Sequence, residues 1–473
     1  MRVARRIPRR IRLDRISERA QTAHQAQVPG KEALAELFPE RAYQELNRGQ
    51  LEVGEGHSLH WRTYGNPAGA PALVLHGGPG AGCTLTQARF FDPNAFFVVL
   101  VDQRGCGSSI PLASTSDNLT ENLVSDLELL RQHLGLSSWL LFGGSWGTTL
   151  ALAYARRFPR RVWGMVLRGI CLFSRREIAW LHGDPAADES ANVDPPGASF
   201  FFPGAWRMYL APLSPEERKA PLKSHYLRLR DGDKKTRESS SDAFFKWVMS
   251  PYQGVIVPPD SPPAFHINYY EQVDDDTVVP FNLPGSEDAE QSNGDTKAEA
   301  QKEGNEAEAN SEGGGEEKKV DTGTDYRYSG SQAHALVELH YSYHQGGELQ
   351  DEPLLESAEQ GAFDGIPAIG LQGTVDMVTP PQTAYELSAR WEDMALYVLP
   401  NTGHPQYDAY LKDAQLRSLQ SMYQEVYLEG RGPQMHEKSG QQPKSKKGGG
   451  TTSSSSKRSK SGKKSGNTSS SRE

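Results

Sequence analysis

Cysteine is scarce in this chain. Cys83, Cys106 and Cys171 are the only three in 473 residues, and no two stand in a C-x-x-C pair. That excludes a disulfide framework, and with no histidine cluster at ligand spacing it excludes a zinc site as well. The thiols read as free and the compartment as reducing. Long apolar runs are also missing. No stretch reaches the ~18 residues that span a bilayer. The N-terminus lacks the apolar core of a secretory signal. A membrane partner is therefore not expected, and nothing in the sequence calls for a metal or cofactor.

Charge is present, but unevenly placed. Residues 1–19 carry eight Arg against Asp14 and Glu18, residues 283–325 carry 13 acids against four Lys, and residues 431–473 carry eleven Lys and Arg against Glu437 and Glu473. The formal net charge of −9 then leaves −15 for the remainder. An acidic body of that size disfavours nucleic acid as the main substrate and suits a cationic small molecule. The acidic insert has almost no apolar residues to offset the entropy of ordering, and it reads as disordered together with the basic arm and tail. The arm over 1–30 is Arg-rich and opens with thirteen acid-free residues, which fits an organelle transit peptide or a plain basic extension. The expected location is cytoplasmic, or organellar if the arm is a transit peptide. The tail over 431–473 reads as solvated Lys/Ser/Gly chain.

The rest alternates short apolar runs with helical periodicity. Residues 72–76, 96–101, 139–142, 162–167, 366–371 and 396–399 read as buried strands. Residues 119–134 place Leu123, Leu127, Leu130 and Leu134 on one helix face. Further helices are expected over 148–157, 381–391 and about 407–427. Alternation of this kind implies a mostly parallel sheet with helices on both faces. Residues 172–355, rich in Trp and Tyr and irregular in pattern, read as a mainly helical cap holding the acidic insert 283–325. The core then falls into 31–171 and 356–430.

Gly143-Gly-Ser-Trp-Gly147 follows a strand and opens a helix, the setting of a nucleophile elbow. Five residues alone are a weak signal in a chain rich in Gly and Ser; the strand and helix on either side strengthen it. Ser145 is the candidate nucleophile. In the α/β-hydrolase fold an acid and then a histidine follow the serine along the chain. Of the 13 histidines only His404 and His436 lie beyond the candidate acid, and His436 is in the tail. His404 is thus the expected base and Asp376, in Gly373-Thr-Val-Asp376, its partner. A turn-capping role is the plain alternative for Asp376. Developing negative charge on the substrate needs two backbone donors. The N–H of Trp146 supplies one, and the glycines of His76-Gly-Gly-Pro-Gly80 fit the other.

His76-Gly-Gly-Pro-Gly80, Asp102-Gln-Arg-Gly-Cys-Gly-Ser108 and Gly143-Gly-Ser-Trp-Gly-Thr-Thr-Leu-Ala-Leu-Ala-Tyr-Ala155, taken together, resemble the proline iminopeptidases. The resemblance continues through Val166-Leu-Arg-Gly-Ile170 and ends with the Asp376 and His404 motifs, spanning roughly 35–275 and 330–428. It implies an α/β-hydrolase fold with an inserted cap and a serine exopeptidase that needs no cofactor. Its partner would be a peptide with a free N-terminus, from which it releases the first residue, preferentially proline. The resemblance carries over the triad Ser145, Asp376 and His404, with Gly78 and Trp146 as oxyanion donors. It also matches Glu338, in Val337-Glu-Leu-His-Tyr341, to a cap glutamate that pairs with the substrate amine. A second such glutamate falls at Val248, in Phe244-Phe-Lys-Trp-Val248, and pocket aromatics fall at Cys171, Leu181 and Ser342. The expected catalytic residues are intact and the expected proline pocket is altered. A carboxylesterase or amidase without amine recognition, and a non-catalytic scaffold, are the competing readings.

Overall fold

The computed structural model describes residues 34–183, 197–254, 328–350 and 353–431. The arm 1–30, the acidic insert 283–325 and the tail beyond Arg431 lie outside the described residues.

Eight strands form one sheet. They are β1 (Glu45–Gly54), β2 (His57–Gly65), β3 (Ala70–Leu75), β4 (Phe96–Val101), β5 (Trp139–Ser145), β6 (Val162–Ile170), β7 (Ala368–Gly373) and β8 (Met394–Leu399). Their order is β1-β2-β4-β3-β5-β6-β7-β8. Only the β1/β2 and β2/β4 pairs are antiparallel; the others run parallel. The period-2 alternation of strand side chains divides the core in two. Leu73, Leu75, Val99, Leu141, Met165 and Leu167 pack on one face. Ala72, Val74, Val98, Leu140, Phe142 and Val166 pack on the other.

Nine α-helices of eight or more residues are described, and those expected near 119–134 and 148–157 fall within two residues of their expected ends. Helix α1 (Thr120–His133) buries Leu123, Leu127 and Leu130, and the Asn122 side chain accepts from the Leu119 N–H at its start. Helix α2 (Trp146–Arg157) is buried from Trp146 to Ala155, so its Thr-Leu-Ala-rich face meets protein all round. Between β6 and β7 the chain leaves the sheet for α3 (Arg175–His182), α4 (Pro203–Leu210), α5 (Pro221–Asp231), α6 (Lys234–Gln253) and α7 (Gly330–Tyr343). Helix α7 starts with a capping box in which Ser329 and Gln332 satisfy each other's backbone N–H. The chain closes with α8 (Pro381–Ser388) and α9 (Ala409–Ser421), the latter running on into π-helical turns over Met422–Arg431.

The strand order reverses at β3, which has β4 on one side and β5 on the other. In open parallel sheets the crevice beyond the strand C-termini at such a point is where ligands bind. Ser145 ends β5 at that crevice. No described helix is long and apolar enough to cross a membrane.

Candidate active site

Ser145 is the last residue of β5 and the residue before α2, and the turn between them is tight enough to force φ 56°, ψ −127°. A non-glycine residue with positive φ costs on the order of 1–3 kcal/mol and is held only by what surrounds it. Here the neighbours leave no room to relax. A Cβ on Gly147 would lie 2.1 Å from the Leu75 carbonyl oxygen, so helix α2 can approach β3 only with glycine there.

Asp376 and His404 come from the loops after β7 and β8. Nδ1 of His404 lies 2.7 Å from Oδ2 of Asp376, and both side chains are buried. The other oxygen, Oδ1, accepts from the N–H groups of Val378 and Thr379 at 3.0 and 2.9 Å. Thr379 Oγ1 donates to Oδ2 at 3.0 Å. Burial alone would push this carboxyl up. The charge and hydrogen bond of His404, with the Thr379 donors, outweigh it and hold Asp376 below the usual carboxylate value. An ionised Asp376 only accepts, so Nδ1 carries a proton, and in the neutral ring Nε2 then keeps its lone pair. That is the tautomer a base needs.

The loop after β3 passes over Ser145. A Cβ on Gly77 would stand 3.4 Å from Cβ and 4.0 Å from Oγ of Ser145. Gly78 holds φ +102°, open to glycine and costly for other residues. The loop is pinned from behind: His76 Nδ1 is 2.9 Å from the Gly77 carbonyl, and Nε2 accepts from the Gln103 N–H at 3.1 Å. Gln103 in turn accepts from the Trp146 indole N–H at 2.9 Å. The backbone N–H of Trp146 opens a helix, where such groups have no intrahelical partner. Gly77 and Gly78 of the loop and Trp146 at the helix start line the same space beside Ser145.

That space is a cavity of about 200 Å³ bounded by the strand ends below and by α3, α6 and α7 above. Ser145, His404, Gly78, Trp146 and Glu338 all line it, as do Cys171, Leu181, Val248 and Ser342. Two carboxylates face it. Glu177 is committed elsewhere, since its oxygens accept from the N–H groups of Leu172 and Ser174 and from the Ser174 hydroxyl. Glu338 is not: among the described residues its one ion-pair contact is with His334, and no Lys or Arg is placed to neutralise it. No group of three or more described His, Cys, Asp or Glu side chains is placed to hold a metal ion.

The family model described as the alpha/beta hydrolase fold matches residues 71–408. A probable proline iminopeptidase from Leptolyngbya boryana is 32% identical over 381 residues, covering 80% of this chain and 95% of that one. The chain belongs to the proline iminopeptidase family of α/β hydrolases. The proline iminopeptidase of Neisseria gonorrhoeae is also 32% identical, over 80% of this chain and 97% of its own. A solved proline iminopeptidase from Mycobacterium smegmatis overlays with a TM-score of 0.46 at 17% identity, covering 81% of this chain and all of the other.

Several residues around this family member's site were not among the expected site residues. Gly169, φ +54°, is the extra residue of β6 where pairing skips from Gly144–Arg168 to Ser145–Ile170. A Cβ there would lie 3.0 Å from Cε1 of His404 and 3.4 Å from Oδ2 of Asp376. Gln372 accepts from the Ile170 N–H at 2.8 Å and donates to the Thr379 carbonyl at 2.9 Å, tying β6 to the Asp376 loop. Arg168 donates to the His404 carbonyl at 3.2 Å. An isolated glycine in a strand does signal a bulge, so Gly169 was detectable. The roles of Gln372, Thr379 and Arg168 exist only through tertiary contact.

Proposed function

We propose that this chain is a serine aminopeptidase that releases the N-terminal residue of a peptide, preferentially proline, through an acyl-enzyme intermediate. Ser145 Oγ attacks the first carbonyl while Nε2 of His404 takes its proton, with Asp376 holding the ring and stabilising the imidazolium. The N–H of Trp146 and the Gly78 loop stabilise the oxyanion. His404 then returns the proton to the leaving amine, and water repeats the sequence on the ester. The helical segment between β6 and β7 serves as the cap that encloses the substrate's amino end.

The observation that supports amine recognition above all is Glu338, a carboxylate with 14% side-chain exposure in the cavity of Ser145, without a described Lys or Arg partner. A free α-amine has a pKa near 8 and enters the site as a cation, and an unbalanced carboxylate in a partly desolvated space is what it requires. Glu338→Gln should lower kcat/KM on a prolyl reporter by about 2–3 kcal/mol, roughly 30- to 150-fold, chiefly through KM. An acetate ester with the same leaving group should be turned over nearly as before. Equal losses on both substrates would replace this reading with an esterase or amidase that does not recognise the amine.

A further inference from the structure

His334 stands one helical turn before Glu338 on α7, and both line the cavity that contains Ser145. Nε2 of His334 is 3.2 Å from Oε2 of Glu338, an ion-pair distance although the two are not lined up as a hydrogen bond. The same nitrogen is 3.2 Å from the point where a Cβ on Gly78 would stand. Cδ2 and the carbonyl oxygen of His334 come within 3.3 and 3.2 Å of the corresponding point on Gly80. Phe245 of α6 holds the ring edgewise, with centroids 5.4 Å apart. One imidazole thus touches both the carboxylate and the loop over the nucleophile.

The other ionisable groups that sense Glu338 cannot substitute for it. Burial drives the His182 pKa down to about 4 against the pull of Glu338, which leaves that ring neutral. Burial and Glu338 together push the Tyr209 phenol up, so it keeps its proton.

We propose that His334 is a positioning residue that fixes the amine-binding carboxylate relative to the oxyanion loop. The proposal rests on the aminopeptidase reading. In an N-terminal residue the amine nitrogen and the scissile carbonyl carbon share one Cα and are about 2.5 Å apart, a separation set by covalent geometry. The group that binds the amine and the group that binds the oxyanion must therefore keep a fixed spacing. The His334 side chain, wedged between Glu338 and Gly78–Gly80, sets that spacing by turning a nitrogen to the carboxylate and its bulk to the loop; a side chain without the nitrogen would free Glu338, and one without the bulk would free the loop. His334 thereby selects for a substrate whose charge is one atom away from the bond to be cut.

The test uses the full chain, a prolyl reporter, its N-acetylated counterpart, and an acetate ester with the same leaving group. His334→Phe keeps a ring against the loop but loses the nitrogen facing Glu338. It should raise the prolyl KM by about tenfold while leaving kcat and the ester unchanged. His334→Gln, which retains a nitrogen donor, should stay within about twofold of the parent. In the Glu338→Gln background, His334→Phe should add nothing to the prolyl KM, because the contact is already gone. His334→Ala should raise the prolyl KM and also lower kcat on both substrates, since the loop loses its support. A His334→Phe enzyme with parental prolyl KM, or one whose ester KM rises equally, overturns the proposal; thermal melts check that each variant is folded. If the parent enzyme shows no preference for the free amine over its N-acetylated form, the aminopeptidase reading falls and the role of His334 falls with it. If that preference is present and His334→Phe leaves it intact, only the role of His334 falls.

Discussion

At the scale of single residues, the serine and histidine could be named before any geometry, because the elbow and the chain order restrict the choice sharply. Asp376 was a softer choice among many acids: one oxygen does cap its turn, accepting from the Val378 and Thr379 N–H groups, and the other faces Nδ1 of His404. The roles of Gln372, Thr379 and Arg168 in holding this pair were not legible, whereas Gly169 showed only as an isolated glycine in a strand. Gly169 sits beneath the imidazole at a strand bulge, and its importance comes from the 3.0 Å left between a Cβ and Cε1 of His404. Gly169→Ala should cost some stability through its positive φ, typically about 1 kcal/mol. Its larger effect should be on chemistry. A tilted His404 serves every substrate badly, so kcat should fall about tenfold or more on both the prolyl reporter and the ester, with KM nearly constant. Steady-state kinetics beside a melting curve checks this, and unchanged kcat on both substrates would show that the ring has room to spare.

At the scale of elements, buried parallel strands announced themselves as short apolar runs, and β3 to β8 were each anticipated to within three residues at their ends, β5 and β6 running three residues further than expected. The β1/β2 hairpin was not. Its edge strand reads Glu45-Leu-Asn-Arg-Gly-Gln-Leu-Glu-Val-Gly54, half charged or polar, because one side faces solvent. The expected helix over 381–391 stops at Ser388, and the one over 407–427 is α9 followed by π-helical turns. Helix pairing shows how the elements are locked. Glu128 of α1 accepts from the Tyr154 hydroxyl of α2 at 2.8 Å and from Arg131 at 2.6 Å. Burial pushes the Glu128 carboxyl up, but bonds from Arg131, Gln132 and Tyr154 dominate and bring it down to about 2. A depressed carboxylate stabilises the fold above its unfolded pKa, and that contribution is lost as pH falls through the folded value. Glu128→Gln should therefore melt a few degrees below the parent at pH 7. The gap should close between about pH 4.5 and pH 2. A gap that is constant over that window would mean the charge on Glu128 contributes nothing.

At the scale of the whole molecule, the cavity joins two things that lie far apart in the chain. The sheet supplies Ser145, Asp376 and His404 along one edge, and α7 brings Glu338 over that edge. Helix α7 is seated on the core by His340 and Tyr341, whose Nε2 and hydroxyl lie 3.0 and 2.8 Å from the Asn118 carbonyl and side-chain oxygens. Composition led to the expectation of a cap between the two parts of the core. It could not show which cap side chains meet the nucleophile, because that depends on how α6 and α7 cross. The central claim, that Ser145 removes one residue from a free N-terminus, is tested most directly by mass spectrometry. A peptide beginning with proline is incubated with the parent enzyme and with Ser145→Ala, alongside an N-acetylated copy of the same peptide. The account predicts that the parent enzyme removes a single proline from the free peptide. It predicts no cleavage of the acetylated copy and none of either peptide by Ser145→Ala. Cleavage of the acetylated copy at a comparable rate, or of the free peptide by Ser145→Ala, would contradict it.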